Sequence, residues 1–170
     1  MTFNELAKAR YSCRKFSGKT VEKEKIDYIL RAAQLAPTAV NFQPQKIYVI
    51  TSADALTKIN DCTKYGFNAP INFLVCYDKN TSWKRGYDGE DFGSIDASIV
   101  ITHMMLAATE QGLGSTWVGS FDPSKVREAF DLPENIIPVS FLPIGYPADD
   151  AHPAHLHDKR RELSETVTFI

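Results

Sequence analysis

The run Ile71-Asn72-Phe73-Leu74-Val75-Cys76-Tyr77 is apolar at six of its seven positions. A strand sends alternate side chains to opposite faces, so one that is apolar on both faces must be covered on both. This run therefore reads as a strand interior to its sheet, and the rest of the chain has to be arranged around it. Three further strand patterns occupy 46–51, 115–119 and 136–144, the last interrupted by Pro138 and Pro143. Helical patterns lie between them. Thr2-Phe3-Asn4-Glu5 fits a capping box that opens a short helix to about Ala9. Ile26, Ile29, Leu30 and Ala33 have helical spacing within 21–35, which Pro37 stops. Residues 52–62 turn Leu56 and Ile59 inward, and Asp122-Pro123 supplies an N-cap and first helical residue for 123–130. Strands and helices are intermixed, so the class is α/β or α+β.

The longest helix is expected over 94–111, closed by Gly112. Ile95, Ile99 and Leu106 fall on one of its faces and Ala97, Ile101, Met104 and Ala108 on another. A helix apolar on several sides is buried on several sides, which in a chain of this size points to a second subunit. Residues 166–170 alternate polar and apolar like a strand, and a strand at the chain end needs an edge to pair with, on a partner subunit if not on its own sheet. Between 78 and 93 runs a polar loop with Trp83, Tyr87 and Phe92, long enough to be functional or mobile.

Composition excludes several classes. The 170 residues make one domain, and 44% hydrophobic with 24% charged residues is not a disordered chain. Nineteen basic against 21 acidic residues give a net charge of −2, against nucleic-acid binding through a global positive field. The longest apolar runs, 73–77 and 104–108, are five residues each, too short for a bilayer. The first residues lack the basic and apolar regions of a signal peptide, and Cys13, Cys62 and Cys76 show no C-x-x-C spacing. Together these features lead us to expect a cytoplasmic protein.

Common catalytic motifs are absent. Gly112-Leu113-Gly114 begins like a dinucleotide fingerprint but lies between a helix and a following strand, the reverse of the required order. No P-loop and no nucleophile elbow occurs. His152, His155 and His157 sit in a Pro-broken stretch that offers no helical ligand spacing, so they read as an exposed loop and no metal is expected. His103 reads as a hydrogen-bonded core histidine. Cys13 beside Arg14 and Lys15 has the positive neighbours that favour a thiolate, but no base or resolving cysteine accompanies it, and it reads as a bystander.

The segment Arg10-Tyr11-Ser12-Cys13-Arg14 carries more chemistry. In extended backbone Arg10, Ser12 and Arg14 face one way, two guanidinium groups flanking a hydroxyl, which suits a phosphate. Surface arginines on a loop would have the same spacing.

Arg10, Ser12, Arg14 and Phe16 resemble the R-x-S-x-R-x-F opening of the FMN-dependent nitroreductase family. Residues 36–45 (APTAVNFQPQ) are similar to that family's A-P-S-x-x-N-x-Q-P-W, with Thr38 for Ser and Gln45 for the aromatic. Gly112-Leu113-Gly114 through Gly119-Ser120-Phe121-Asp122 resembles its G-L-G…G-x-F-D region, and Ile144-Gly145-Tyr146-Pro147 followed by Arg160-Arg161 its C-terminal segment. The resemblance implies an α+β fold, a three-layer α/β/α sandwich around a mostly antiparallel sheet, as one domain over 1–170 with 157–170 as a C-terminal arm. It also implies a homodimer with FMN at the subunit interface. Arg10, Ser12, Arg14 and Arg160, or the adjacent Arg161, would hold the phosphate, with Tyr11 beside them. Pro37, Thr38, Asn41 and Gln43 would meet the flavin from the other subunit. Gly119, flanked by Val118 and Ser120, would present backbone N–H groups to flavin N5. The implied activity is ping-pong reduction of nitroaromatics, quinones or other small electron-poor acceptors by NADH or NADPH, with no catalytic side chain required. Trp83, Tyr87 or Phe92 could stack on the acceptor, and Lys84 with Arg85 could meet the extra phosphate of NADPH. A non-enzymatic flavin-storage protein, or a specialised flavin enzyme, would use the same cradle.

Overall fold

The computed structural model describes all 170 residues. Its helices are α1 (Phe3–Ala9), α2 (Lys23–Leu35), α3 (Ala53–Cys62), α4 (Gly93–Glu110), α5 (Pro123–Ala129) and α6 (Leu163–Thr166). Its strands are β1 (Gln45–Ile50), β2 (Ile71–Asp78), β3 (Gly114–Ser115) and β4 (Ile136–Gly145). They form one antiparallel sheet in the order β1-β2-β4-β3. The run 71–77 is interior, as its composition demands.

Alternation along β2 builds three layers. Phe73, Val75 and Tyr77 pack with Ile29 and Ala33 of α2 and Ala97, Val100, Ile101 and Met104 of α4. Leu74 and Cys76 face the other way, toward Ile59 and Cys62 of α3, Val126 of α5 and Phe141 of β4. The fold is thus an α+β, three-layer sandwich. Its caps follow the sequence: Thr2 and Glu5 close both bonds of the capping box, and the Asp122 side chain accepts from the Ser124 and Lys125 N–H groups.

β4 runs unbroken through both prolines. Val75 pairs with Ser140 and Cys76 with Pro138, so Val139 is an extra residue in a bulge, and the missing N–H of Pro138 falls where the ladder is already interrupted. Pro143 has the opposite consequence for β3. It offers a carbonyl, which Thr116 N–H reaches at 3.4 Å, but no N–H in return. The strand expected over 115–119 is accordingly cut to Gly114–Ser115, and the chain rejoins the sheet only at Val118, bridged to Phe141.

Two regions differ from the sequence reading. The strand expected over 166–170 is absent: α6 ends at Thr166, the residues after it pair with no strand, and every residue from Asp158 to Ile170 is exposed. In a single chain this segment meets no sheet edge. Only one face of α4 is buried, and Ile95 stays 44% exposed with Ile99 and Leu106 half-buried on the other.

The polar loop after β2 has internal structure. Lys84 bridges Asp91, Arg85 pairs with Asp88, and Trp83 packs edge-on against Phe92 with ring centres 4.8 Å apart. Arg85 lies over Phe92 at 5.5 Å, and Tyr87 at the tip is fully exposed. Trp83 and Phe92 are therefore engaged with each other, and Arg85 with its own loop.

Candidate functional site

The extended segment after α1 lies against the short edge strand. Ser12 bridges Ser115 in parallel, Phe16 bridges Pro147, and Cys13 N–H donates to the Ser115 carbonyl at 2.9 Å. Alternation then sorts the side chains. Cys13 turns into the protein, fully buried, and a Cβ on Gly114 would come within 2.7 Å of its Cβ and Sγ, so glycine is needed there. Arg10, Ser12 and Arg14 turn outward and line a cavity of about 390 Å³ with Tyr11, Ala154, Leu156, His157 and Arg160.

This cavity brings three guanidinium groups together and contains no carboxylate. None of Arg10, Arg14 and Arg160 forms an ion pair with any acidic side chain of the protein. Arg160 Nη1 donates to the carbonyls of His157 and Lys159, and Arg14 Nη1 reaches the Ser12 carbonyl at 3.5 Å. Like charges around one space repel, and an anion with several acceptor oxygens is the occupant that relieves this. Burial, with the neighbouring Cys13, pushes the Tyr11 phenol up to about 12, so it stays a neutral hydroxyl at any working pH. Arg161 does not line the cavity. Lys15, on its flank, is paired with Asp150.

Arg14 also lines a second cavity of about 180 Å³, with Tyr65, Phe67, Thr116, Trp117, Val118, Gly119 and Ser120. Val118 is committed to the sheet, exchanging both backbone bonds with Phe141 at 2.9 and 3.0 Å. The next two N–H groups, of Gly119 and Ser120, donate to nothing in the chain. Thr63 Oγ1 braces the turn by donating to the Ser120 carbonyl at 2.6 Å. A Cβ on Gly119 would meet only Trp117 Nε1, at 3.7 Å, so internal packing does not demand glycine there. Two free donors, a missing Cβ and three aromatic side chains suit a flat ring with acceptor atoms on its edge. Tyr65, Phe67 and Trp117 were not singled out from the sequence. Their signal was an aromatic-Gly-aromatic turn at Tyr65-Gly66-Phe67, where Phe67 and Asn68 take φ values of 54° and 51°.

The segment between α2 and β1 is elsewhere. Gln43 lines a groove with Arg31, Gln34 and Gln45, and Pro37, Thr38 and Asn41 line neither arginine cavity. A single chain does not bring these four residues to the cradle. Their backbone is strained: Val40, Asn41 and Gln43 have φ of 53°, 56° and 51°, each costing on the order of 1–2 kcal/mol in a non-glycine residue. Thr38 Oγ1 accepts from Gln43 N–H at 3.0 Å, a bond that needs only a hydroxyl oxygen at this position.

His103, His152, His155 and the three cysteines lie outside both cavities, and only His157 lines one. His103 Nδ1–H donates to the Ile99 carbonyl at 2.9 Å but is half-buried on the uncovered side of α4, not in the core. His152 and His155 are exposed, and no three metal-ligating side chains cluster anywhere in the chain. All three thiols are free and buried, and burial pushes Cys76 up to about 12. Cys13 is shielded from solvent, and its Sγ donates to the Lys15 carbonyl at 3.2 Å. A disulfide reagent at pH 8 is expected to titrate no cysteine within minutes in the folded protein and all three after denaturation. A rapid native reaction at Cys13 would contradict this placement.

The likeness to known proteins runs through most of the chain. The model of the nitroreductase family matches residues 7–68 and 64–146. A protein of Methanothermobacter thermautotrophicus named as an NADH dehydrogenase/NAD(P)H nitroreductase is 35% identical over 164 residues, 92% of this chain and 83% of its own. A crystal structure of a nitroreductase family protein from Clostridium difficile 630 superposes with a TM-score of 0.94 at 44% identity, covering 99% of this chain and 98% of the other. An FMN-dependent nitroreductase from Clostridium difficile R20291 gives a TM-score of 0.80 at 28% identity, covering 96% of both.

Proposed function

This chain belongs to the nitroreductase family, and on that premise we propose that it is an FMN-dependent oxidoreductase using NADH or NADPH to reduce nitroaromatics, quinones or similar electron-poor acceptors. The observation that carries this reading is the cavity of Arg10, Arg14 and Arg160, three cations without an internal counter-charge. FMN ends in a dianionic phosphate and carries a flat ring. Arg10, Ser12, Arg14 and Arg160 would hold the phosphate, and the free N–H groups of Gly119 and Ser120 would meet the acceptor edge of the ring. FMN, when bound, would supply the two-electron redox chemistry that links nicotinamide to acceptor. The protein's part is to orient, exclude water and stabilise charge.

The same reading includes a homodimer. At about 180 Å³ the second cavity is below the ~300–1,000 Å³ of a usual ligand site, which suits a site completed by a second chain. The stripe Ile95, Ile99 and Leu106, the exposed tail residues Leu163, Val167, Phe169 and Ile170, and the open edge of β1 are surfaces that a partner would cover. Asn41 and Gln43 would then reach the partner's flavin. No helix is long and apolar enough to cross a membrane.

Anaerobic stopped-flow mixing of the FMN-loaded protein with NADH, and separately NADPH, tests the activity. Rapid loss of flavin absorbance followed by reoxidation on adding a quinone is expected. Tight FMN binding without bleaching by either nucleotide would make the protein a flavin store.

A further inference from the structure

We propose that Asp96 is a positioning residue for the flavin site, acting through the strained segment that carries Asn41 and Gln43. The proposal rests on the reading of those two residues as flavin contacts. Asp96 lies in the first turn of α4, is 1% exposed, and its Oδ1 accepts the Ala39 N–H at 2.8 Å. Every other bond within 38–43 is internal to the segment: Asn41 N–H to the Thr38 carbonyl, Phe42 N–H to the Ala39 carbonyl, Gln43 N–H to Thr38 Oγ1, and Gln43 Nε2 to the Asn41 carbonyl. Asp96 is thus the one side chain from elsewhere that bonds this loop to the body of the protein.

Two features separate this contact from ordinary packing. Three non-glycine residues in four positions hold left-handed backbone, including the β-branched Val40, and such conformations persist only when the surroundings fix them. The other oxygen, Asp96 Oδ2, is buried and accepts nothing from the chain. A buried carboxylate with one oxygen unsatisfied is disfavoured by stability alone, and a well-packed apolar residue would cost less. What Asp96 supplies is directed: an acceptor oxygen at the residue that opens the turn, held by the first turn of the longest helix.

The test is a set of FMN affinities measured by flavin fluorescence, with the apo-protein's thermal midpoint alongside. Asp96→Ala is expected to weaken FMN binding about tenfold. Asp96→Asn, whose amide oxygen can still accept from Ala39, is expected to stay within about threefold of wild type. On an Asn41→Ala/Gln43→Ala background the Asp96→Ala effect should disappear, whereas with Arg14→Ala the two losses should multiply. Unchanged affinity in a folded Asp96→Ala protein, or an undiminished loss on the double-alanine background, overturns the proposal. So does an Asp96→Asn loss equal to that of alanine. Amide exchange in the wild type provides a readout independent of the variants' folding. Ala39 should be protected relative to Val40, whose N–H bonds nothing in the chain, and equal rates would overturn the bond itself. A wild-type protein that binds no FMN would instead remove the flavin reading, with the exchange result still standing.

Discussion

Replacing Arg14 by alanine is expected to weaken FMN binding roughly ten- to hundredfold, because a hydrogen bond to a charged group is worth ~1.5–3 kcal/mol. Arg14 is the side chain shared by the anion cavity and the cavity at Gly119, so its loss affects both ends of the site. The apo-protein should move the other way or not at all. Arg14 is exposed and in no ion pair, and its removal relieves repulsion with Arg10 and Arg160, so stability should stay within ~0.5 kcal/mol or rise. Isothermal titration and thermal melts of the same preparation check the pair of results. A clear loss of stability with unchanged FMN affinity would make Arg14 a structural residue.

The largest stability effect is expected at Phe141. This β4 residue is fully buried, with Phe121 and Phe130 at ring-centre distances of 5.6 and 6.3 Å. Phe141→Ala should cost ~3–5 kcal/mol, through lost transfer free energy and the cavity left between the sheet and α5. In a domain of this size that lowers the melting temperature by roughly 10 °C. Phe141 also holds Val118 by two backbone bonds, so loosening here should spread to the Gly119 turn. Denaturant unfolding gives the free energy directly. A cost below ~1 kcal/mol would mean that this side of the sheet is not packed as described.

Much of this was legible in the sequence because local rules and tertiary packing agree. The run at 71–77 could only be interior, Asp122-Pro123 could only start a helix, and Thr2 with Glu5 wrote their own cap. The alternation of Arg10, Ser12 and Arg14 around an inward Cys13 follows from extended backbone alone. Three things were out of reach. The bulge at Val139 and the shortening of β3 depend on which residue lies opposite Pro138 and Pro143, a register that spacing does not encode. Tyr65 and Phe67 reach Arg14 and Gly119 only because the connection after α3 folds back toward the turn that follows β3, a non-local event. The tail at 166–170 has the alternation of a strand but pairs with no edge of its own chain, and alternation alone does not say whether an edge is within reach.

In the proposed site, three arginines without a counter-charge hold the phosphate of a flavin mononucleotide. Parallel calorimetric titrations of the apo-protein with FMN and with riboflavin, which differ only in that phosphate, test it most directly. FMN should bind at least a hundredfold more tightly, the equivalent of about 2.7 kcal/mol, and the difference should shrink as salt is raised. Equal affinities for the two flavins, or no heat from FMN, would contradict it.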